Sequence, residues 1–202
     1  MGINPVSFFD CISVSLKLCK LIGNATISEI NMFSYLACLL SLYEGKPVSD
    51  WGYSFAATSQ GVPYSVDIQE SIDIATSNAI LVQENDLFTI GPVIDSNFSH
   101  LLKINSNKAR EKYLNGSCSS LLIIPLNFIR YSILLEPEIN IARTLGQGKH
   151  LLSKVDLRII YDQFEAIKHL MNSEDIDLIA PAVTWINYLH RVSIQAPCEN
   201  QL

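Results

Sequence analysis

The sequence has few charged side chains and many apolar ones, a balance that is unusual for a soluble protein that works as a monomer. Charged residues make up 17% of the 202 residues and hydrophobic residues 49%, whereas an average soluble domain has about 25% charged residues. We therefore expect some apolar surface to be buried against another chain, either a different subunit or a second copy. The net charge of −6 provides no long-range attraction to DNA or anionic lipid.

The sequence also lacks paired cysteines and a membrane-spanning segment. Its five cysteines are odd in number and form no C-x-x-C pair, which favours a reducing, cytoplasmic setting. The longest purely apolar run, 121–126, contains Pro125 and is far too short to cross a bilayer. We therefore expect a cytoplasmic protein without a membrane partner.

Motifs for catalysis, metals and cofactors are missing as well. The four histidines lack H-E-x-x-H spacing, and no cysteine is near enough in sequence to complete a zinc site. Ser120 and Ser132 are not in a G-x-S-x-G elbow, and the segment 146–149 lacks the first glycine and the hydroxyl residue of a phosphate loop. We expect no enzyme activity and no cofactor.

What is present is a pattern of helices followed by a hairpin. Residues 65–91, SVDIQESIDIATSNAILVQENDLFTIG, indicate a helix, a strand, a turn at 84–86 and a second strand. Two further helices are predicted upstream. The first covers residues 5–22, where a partial alternation of apolar residues leaves a strand as the alternative. The second begins at the capping box formed by Thr26 and Glu29 and ends at residue 43. This order is typical of a winged-helix unit. The recognition helix of such a unit would be the helix that follows Ser65, and it contains Asp67, Glu70 and Asp73 but no lysine or arginine.

The predicted fold class is mainly α (α+β), with two domains. A winged-helix domain with a small β-hairpin wing covers residues 1–92, and a helical domain covers residues 93–202. The helices predicted in the second domain are 96–104, 106–114, 126–135, 153–171 and 174–192, with a kink or break at Pro181. The segment 136–149, which contains Pro137, Gly146 and Gly148, is predicted to be a loop.

Aromatic residues crowd the segment between the second and third helices. Trp51, Tyr53, Phe55 and Tyr64 either fill the core or form a hot spot at a protein interface, and both alternatives are kept. Asp50 and Gly52 suit an exposed turn, so we expect at least one of Trp51 and Tyr53 at the interface. Trp185 in the last helix poses the same question.

One basic cluster follows the predicted wing. It consists of Lys103, Lys108, Arg110 and Lys112, with Glu111 in its midst. A solvated helix face explains these residues most simply. The alternative is a patch that contacts DNA phosphates.

The middle of the chain resembles a known family. It is similar to the winged-helix middle components of bacterial ABC-three-component defence systems, which include Lamassu-type systems. The positions that carry this resemblance are Tyr53 to Phe55, Thr58, residues 61–65, Ile68, Ile72 and the turn at Ala79 and Ile80. Related Panacea-like antitoxin domains have a G-P-x-S motif before a helix. The corresponding residues here, Gly61-Val62-Pro63-Tyr64-Ser65, differ from that motif by one inserted valine. The resemblance covers roughly residues 33–91.

The resemblance implies a noncatalytic subunit that accompanies an SMC-like ATPase and an effector such as a nuclease. We therefore expect an adaptor in antiphage defence that contacts DNA at most indirectly. The resemblance assigns no catalytic residue to this sequence. The alternative is a winged-helix transcriptional regulator that binds DNA as a homodimer, through the basic cluster and the wing.

Overall fold

The computed structural model describes residues 2–92, 98, 100–152, 154–171 and 177–195. The described chain is mainly helical, which confirms the coarse fold class. Helix α1 spans Pro5–Ile22; the Asn4 side chain accepts hydrogen bonds from the amides of its first turn, and Gly23, with φ of +89°, ends it. The strand alternative for this segment is therefore wrong.

Helix α2 spans Ile27–Tyr43 and is the central element of the fold. The predicted capping box is present: the Thr26 hydroxyl accepts from the Glu29 amide, and the Glu29 carboxylate accepts from the Thr26 amide. Every α2 residue from Glu29 to Tyr43 is buried. A helix that is apolar on all sides is expected to be surrounded by other elements, and α2 contacts helices from both halves of the chain.

A third helix and a hairpin follow at the position of the predicted wing. Helix α3 spans Val66–Ser77 and buries Ile68, Ile72 and Ala75, as predicted. Strands β3, Leu81–Glu84, and β4, Leu87–Ile90, pair antiparallel; their connection has two residues instead of the predicted three, because Glu84 pairs directly with Leu87. Ala25, between α1 and α2, bridges Phe88 of β4.

The segment between α2 and α3 forms a 3-10 turn, Val48–Trp51, and two short strands. These strands, β1 at Ala56–Ala57 and β2 at Pro63–Tyr64, are joined by β5, Lys149–His150, in the antiparallel order β2-β1-β5. The aromatic segment is thereby tied to a strand almost one hundred residues later in the chain.

Five helices make up most of the described part of the second half. They are α4 (Asn105–Ser119), α5 (Leu126–Leu134), α6 (Pro137–Leu145), α7 (Lys154–Met171) and α8 (Ile179–Gln195). The predicted helices 106–114, 126–135 and 153–171 are confirmed within a few residues. Residues 96, 97 and 99 of the predicted 96–104 helix and residues 174–176 of the predicted 174–192 helix lie outside the described residues. Of the described part of the first, residues 98, 100 and 101 are helical and residues 102–104 are not.

Two predictions about proline are wrong. The predicted loop 136–149 contains α6, in which Pro137 is at the first position, the Glu136 side chain accepts from the Ile139 amide and Gly146 ends the helix. Pro181 is in the first turn of α8, where no intrahelical amide donor is needed, so it does not split the helix.

The hydrophobic core continues across the predicted domain boundary at residue 92. Helix α4 packs against α1 and α2, and the buried side chains of both halves form one cluster. Gly116 allows α4 to approach Leu178 closely, since a Cβ atom at residue 116 would lie 2.6 Å from the Leu178 Cβ. The two halves therefore share a core in the described structure.

Candidate functional site

The aromatic segment lies inside the protein. Trp51, Tyr53 and Phe55 are 3%, 8% and 2% exposed, respectively. Their rings form a chain of contacts that ends on Tyr35 of α2, with centroids 5.2–6.2 Å apart. The prediction that Trp51 or Tyr53 presents an interface is therefore wrong, because these rings fill the space between α2 and α4. Only Tyr64, in β2, is partly exposed.

These rings enclose an ion pair between two helices that are distant in sequence. Arg110 of α4 donates from Nε to Asp10 Oδ1 at 2.5 Å and from Nη2 to Asp10 Oδ2 at 2.6 Å. The Tyr53 hydroxyl donates to Asp10 Oδ2 at 2.6 Å. The Arg110 guanidinium also lies 3.5 Å from the centre of the Trp51 ring, a distance at which a cation is attracted to an indole face.

Burial dominates the electrostatics of this cluster. Removal of the Asp10 carboxyl from water raises its pKa, and the charge and hydrogen bonds of Arg110 offset that effect only in part. Burial also raises the pKa of Tyr53 well above its usual value, and the negative charge of Asp10 adds to this. Tyr53 is therefore a neutral donor to Asp10, and the group is suited to join α1, α4 and the aromatic segment rather than to react.

Two of the four cations in the predicted basic cluster are paired with carboxylates. The Arg110 side chain is 11% exposed and paired with Asp10. For this residue both the solvated helix face and the alternative of a DNA contact are therefore wrong. Lys112 is exposed but pairs at 2.5 Å with Glu44, the residue that follows α2. Lys103 and Lys108 are exposed, and no ion pair involves either of them among the described residues. Two cations of the four thus remain for a phosphate backbone.

Trp185 is also a core residue, which corrects its prediction as an interface residue. It is fully buried in α8, where its indole N–H donates to the Gln163 side chain of α7 at 2.9 Å. Its ring is 5.9 Å from that of Phe164. Among the described residues, the exposed large apolar side chains of this helix pair are Ile159, Leu170, Tyr188 and Val192.

The α3 helix and its hairpin present a surface of one charge sign. No lysine or arginine occurs between Lys46 and Lys103. Glu70 and Asp73 are exposed on α3, and Glu84 and Asp86 are exposed on the hairpin. Asp67 is partly buried and accepts a hydrogen bond from Asn4. Four carboxylates therefore face solvent on the two elements that would approach DNA in a winged-helix protein.

Sequence reasoning missed Asp10, which is the centre of the buried cluster. Its signal is a lone carboxylate within the apolar stretch Phe8 to Ile12 of a helix, since such a group needs a cation when it is buried. Its partner, Arg110, is one hundred residues away, so helical periodicity could not identify the pair.

Within the part of the chain that the structure describes, no group of three histidine, cysteine, aspartate or glutamate side chains could hold a metal ion. No single helix in that part has both the length and the hydropathy needed to cross a membrane. Comparison with known proteins found no match to a family model, to a curated protein or to a solved structure.

Proposed function

We propose that this chain is a noncatalytic adaptor or regulatory subunit of a multiprotein antiphage defence complex. In this role it bridges an SMC-like ATPase and an effector such as a nuclease, in the cytoplasm. The observation that carries the proposal is the acidic surface of α3 and the hairpin. The order of elements is that of a DNA-binding winged helix, but this surface has the wrong charge for DNA. The site for the protein partner must lie outside the buried aromatic segment.

The order of elements supports a winged-helix interpretation of the first half. Three helices are followed by an antiparallel hairpin, and the extended residue Ala25 between the first two helices adds a bridge to β4. The segment that resembles the ABC-three-component middle components includes the 61–65 step into α3 and the turn at Ala79, which has a φ of +53°.

Electrostatics argues against a role in reading DNA. A DNA-binding surface gains affinity when its cations release counterions from phosphates. The exposed groups Glu70, Asp73, Glu84 and Asp86 would instead be repelled by those phosphates. Because these carboxylates occupy α3 and the wing, we expect the unit to be used for contacts with protein.

The second candidate is a DNA-binding regulator, and Lys103 and Lys108 are the observation that favours it. Both are exposed, and Lys108 belongs to α4. Two cations give a small electrostatic gain, since each neutralised phosphate changes the logarithmic salt slope by only about −0.9.

A DNA titration separates the two candidates. Fluorescence anisotropy of a labelled duplex is measured against the full chain between about 50 and 200 mM salt, a range over which phosphate binding weakens strongly. We expect no tight binding and no difference between the wild type and a Lys103→Ala/Lys108→Ala variant. Tight binding with a steep salt slope that this variant abolishes would favour the regulator. Arg158→Ala, which removes an exposed cation from α7, is the matched control.

A further inference from the structure

A small apolar pocket opens between the start of α2, the turn before β2 and helix α5. Its volume is about 180 Å³, and Met32, Pro63, Ile133 and Leu134 form its apolar wall. A cavity of about 150 Å³ is large enough to take benzene, so this one fits a single leucine or phenylalanine side chain. Ser28 and half of Arg130 are exposed, which leaves the pocket open to solvent.

The turn that forms one side of the pocket is held in place. The Thr58 amide donates to the Val62 carbonyl, and the Gly61 amide donates to the Thr58 carbonyl, both at 2.9 Å. Gly61 has a φ of +77°, and a Cβ there would lie 3.1 Å from Arg143 Cβ and 3.3 Å from Leu134 Cδ2. The turn therefore packs directly on α5 and α6, and the pocket exists without a ligand.

Arginine residues flank the pocket. Arg130 lines it and pairs through Nη2 with Glu29 Oε1. The other Glu29 oxygen accepts from the Thr26 amide and hydroxyl, so both oxygens of this carboxylate are used. Arg143 adjoins the same turn, is exposed and donates to the neutral Asn140 side chain. The rim thus has positive charge beside an apolar cavity.

We propose that this pocket binds a short acidic segment of a partner protein. The segment inserts one leucine- or phenylalanine-sized side chain, and a neighbouring carboxylate binds Arg130 and Arg143. The apolar cavity accounts for the anchor residue, and the two guanidinium groups account for the acidic flank, because arginine binds carboxylates through charge-assisted hydrogen bonds. This inference rests on the proposed adaptor function and names the chemistry of its partner.

The test uses three labelled heptapeptides and the full chain. The first has a central leucine between glutamate and aspartate; the second replaces both acids with lysine; the third replaces leucine with alanine. Binding is followed in amide NMR spectra, with shifts expected at Val62 and Leu134. We expect the first peptide to bind about tenfold or more tightly than either of the others.

Variants locate the site. Arg143→Glu should weaken the first peptide by about tenfold, whereas the control Arg158→Glu, an exposed arginine on α7, should leave it unchanged. If Arg143→Glu lowers the melting temperature, Val62→Asp replaces it, since this partly exposed side chain can introduce a repelling carboxylate at the pocket wall.

Several results would overturn the inference: equal binding of the three peptides, no shift at millimolar peptide, shifts confined to residues around Ile159, Leu170 and Tyr188 of α7 and α8, or equal loss in both arginine variants. A concentration-dependent dimer that Arg143→Glu dissociates would assign the pocket to a second copy instead. Failure of the adaptor proposal is seen separately, as a chain that binds the first peptide but co-purifies with no product of its neighbouring genes.

Discussion

The buried pair of Asp10 and Arg110 gives the most demanding prediction for the fold. Asp10→Ala removes three hydrogen bonds, two of them from Arg110, and leaves that guanidinium beside Trp51 without its counterion. Loss of one member of a buried ion pair typically costs about 3–5 kcal/mol. For a chain of this length about 1 kcal/mol shifts the melting temperature by 2–4 °C, so we expect a decrease of roughly 6–20 °C.

The assay is urea unfolding followed by tryptophan fluorescence, with thermal melting as a second measure. Lys112→Ala is the control, because it removes an exposed pair with Glu44 that is worth at most about 1 kcal/mol. Asp10→Leu combined with Arg110→Met should recover most of the lost stability, since apolar replacement of both charges removes the unpaired group. An Asp10→Ala variant no less stable than Lys112→Ala would refute this explanation of the core.

Two further predictions concern packing. Gly116→Ala places a methyl group against Leu178 and should destabilise the chain by about 1–3 kcal/mol, measured by the same unfolding assay. An unchanged midpoint would mean that α4 does not contact Leu178, the residue that precedes α8. The thiols of Cys11, Cys38 and Cys118 should react with an aromatic disulfide reagent at pH 8 only as fast as the protein unfolds. Burial raises the pKa of each of them, that of Cys118 to about 12. Rapid labelling of more than two of the five cysteines would contradict the burial of these three.

The elements that the sequence identifies correctly are those with local signals. The N-terminal end of α2 follows from the Thr26 and Glu29 spacing, and the inner face of α3 follows from Ile68, Ile72 and Ala75. The loop error at 136–149 has the opposite cause. Pro137 and Gly146 are typical of loops, but at the first position and just past the end of a helix they are equally suited to α6.

The candidate site depends on contacts that no local pattern contains. Trp51 and Tyr53 flank a glycine and follow an aspartate, which suits an exposed turn, yet both are buried by Asp10 and Arg110 from two distant helices. Strands β1, β2 and β5 have two residues each, too short for alternation to be recognised. The acidic character of α3, in contrast, is evident from the sequence, because the solvent-facing side chains of a helix are known once its apolar face is identified.

We propose above that this chain works as a protein-binding subunit. The most direct measurement is the mass, by light scattering after gel filtration, of the tagged chain co-expressed with its neighbouring genes. We predict a complex of fixed stoichiometry that contains a long coiled-coil ATPase and an effector, with the chain more stable in the complex than alone. A chain that elutes alone as a stable monomer, with no neighbouring gene product bound, would contradict the claim.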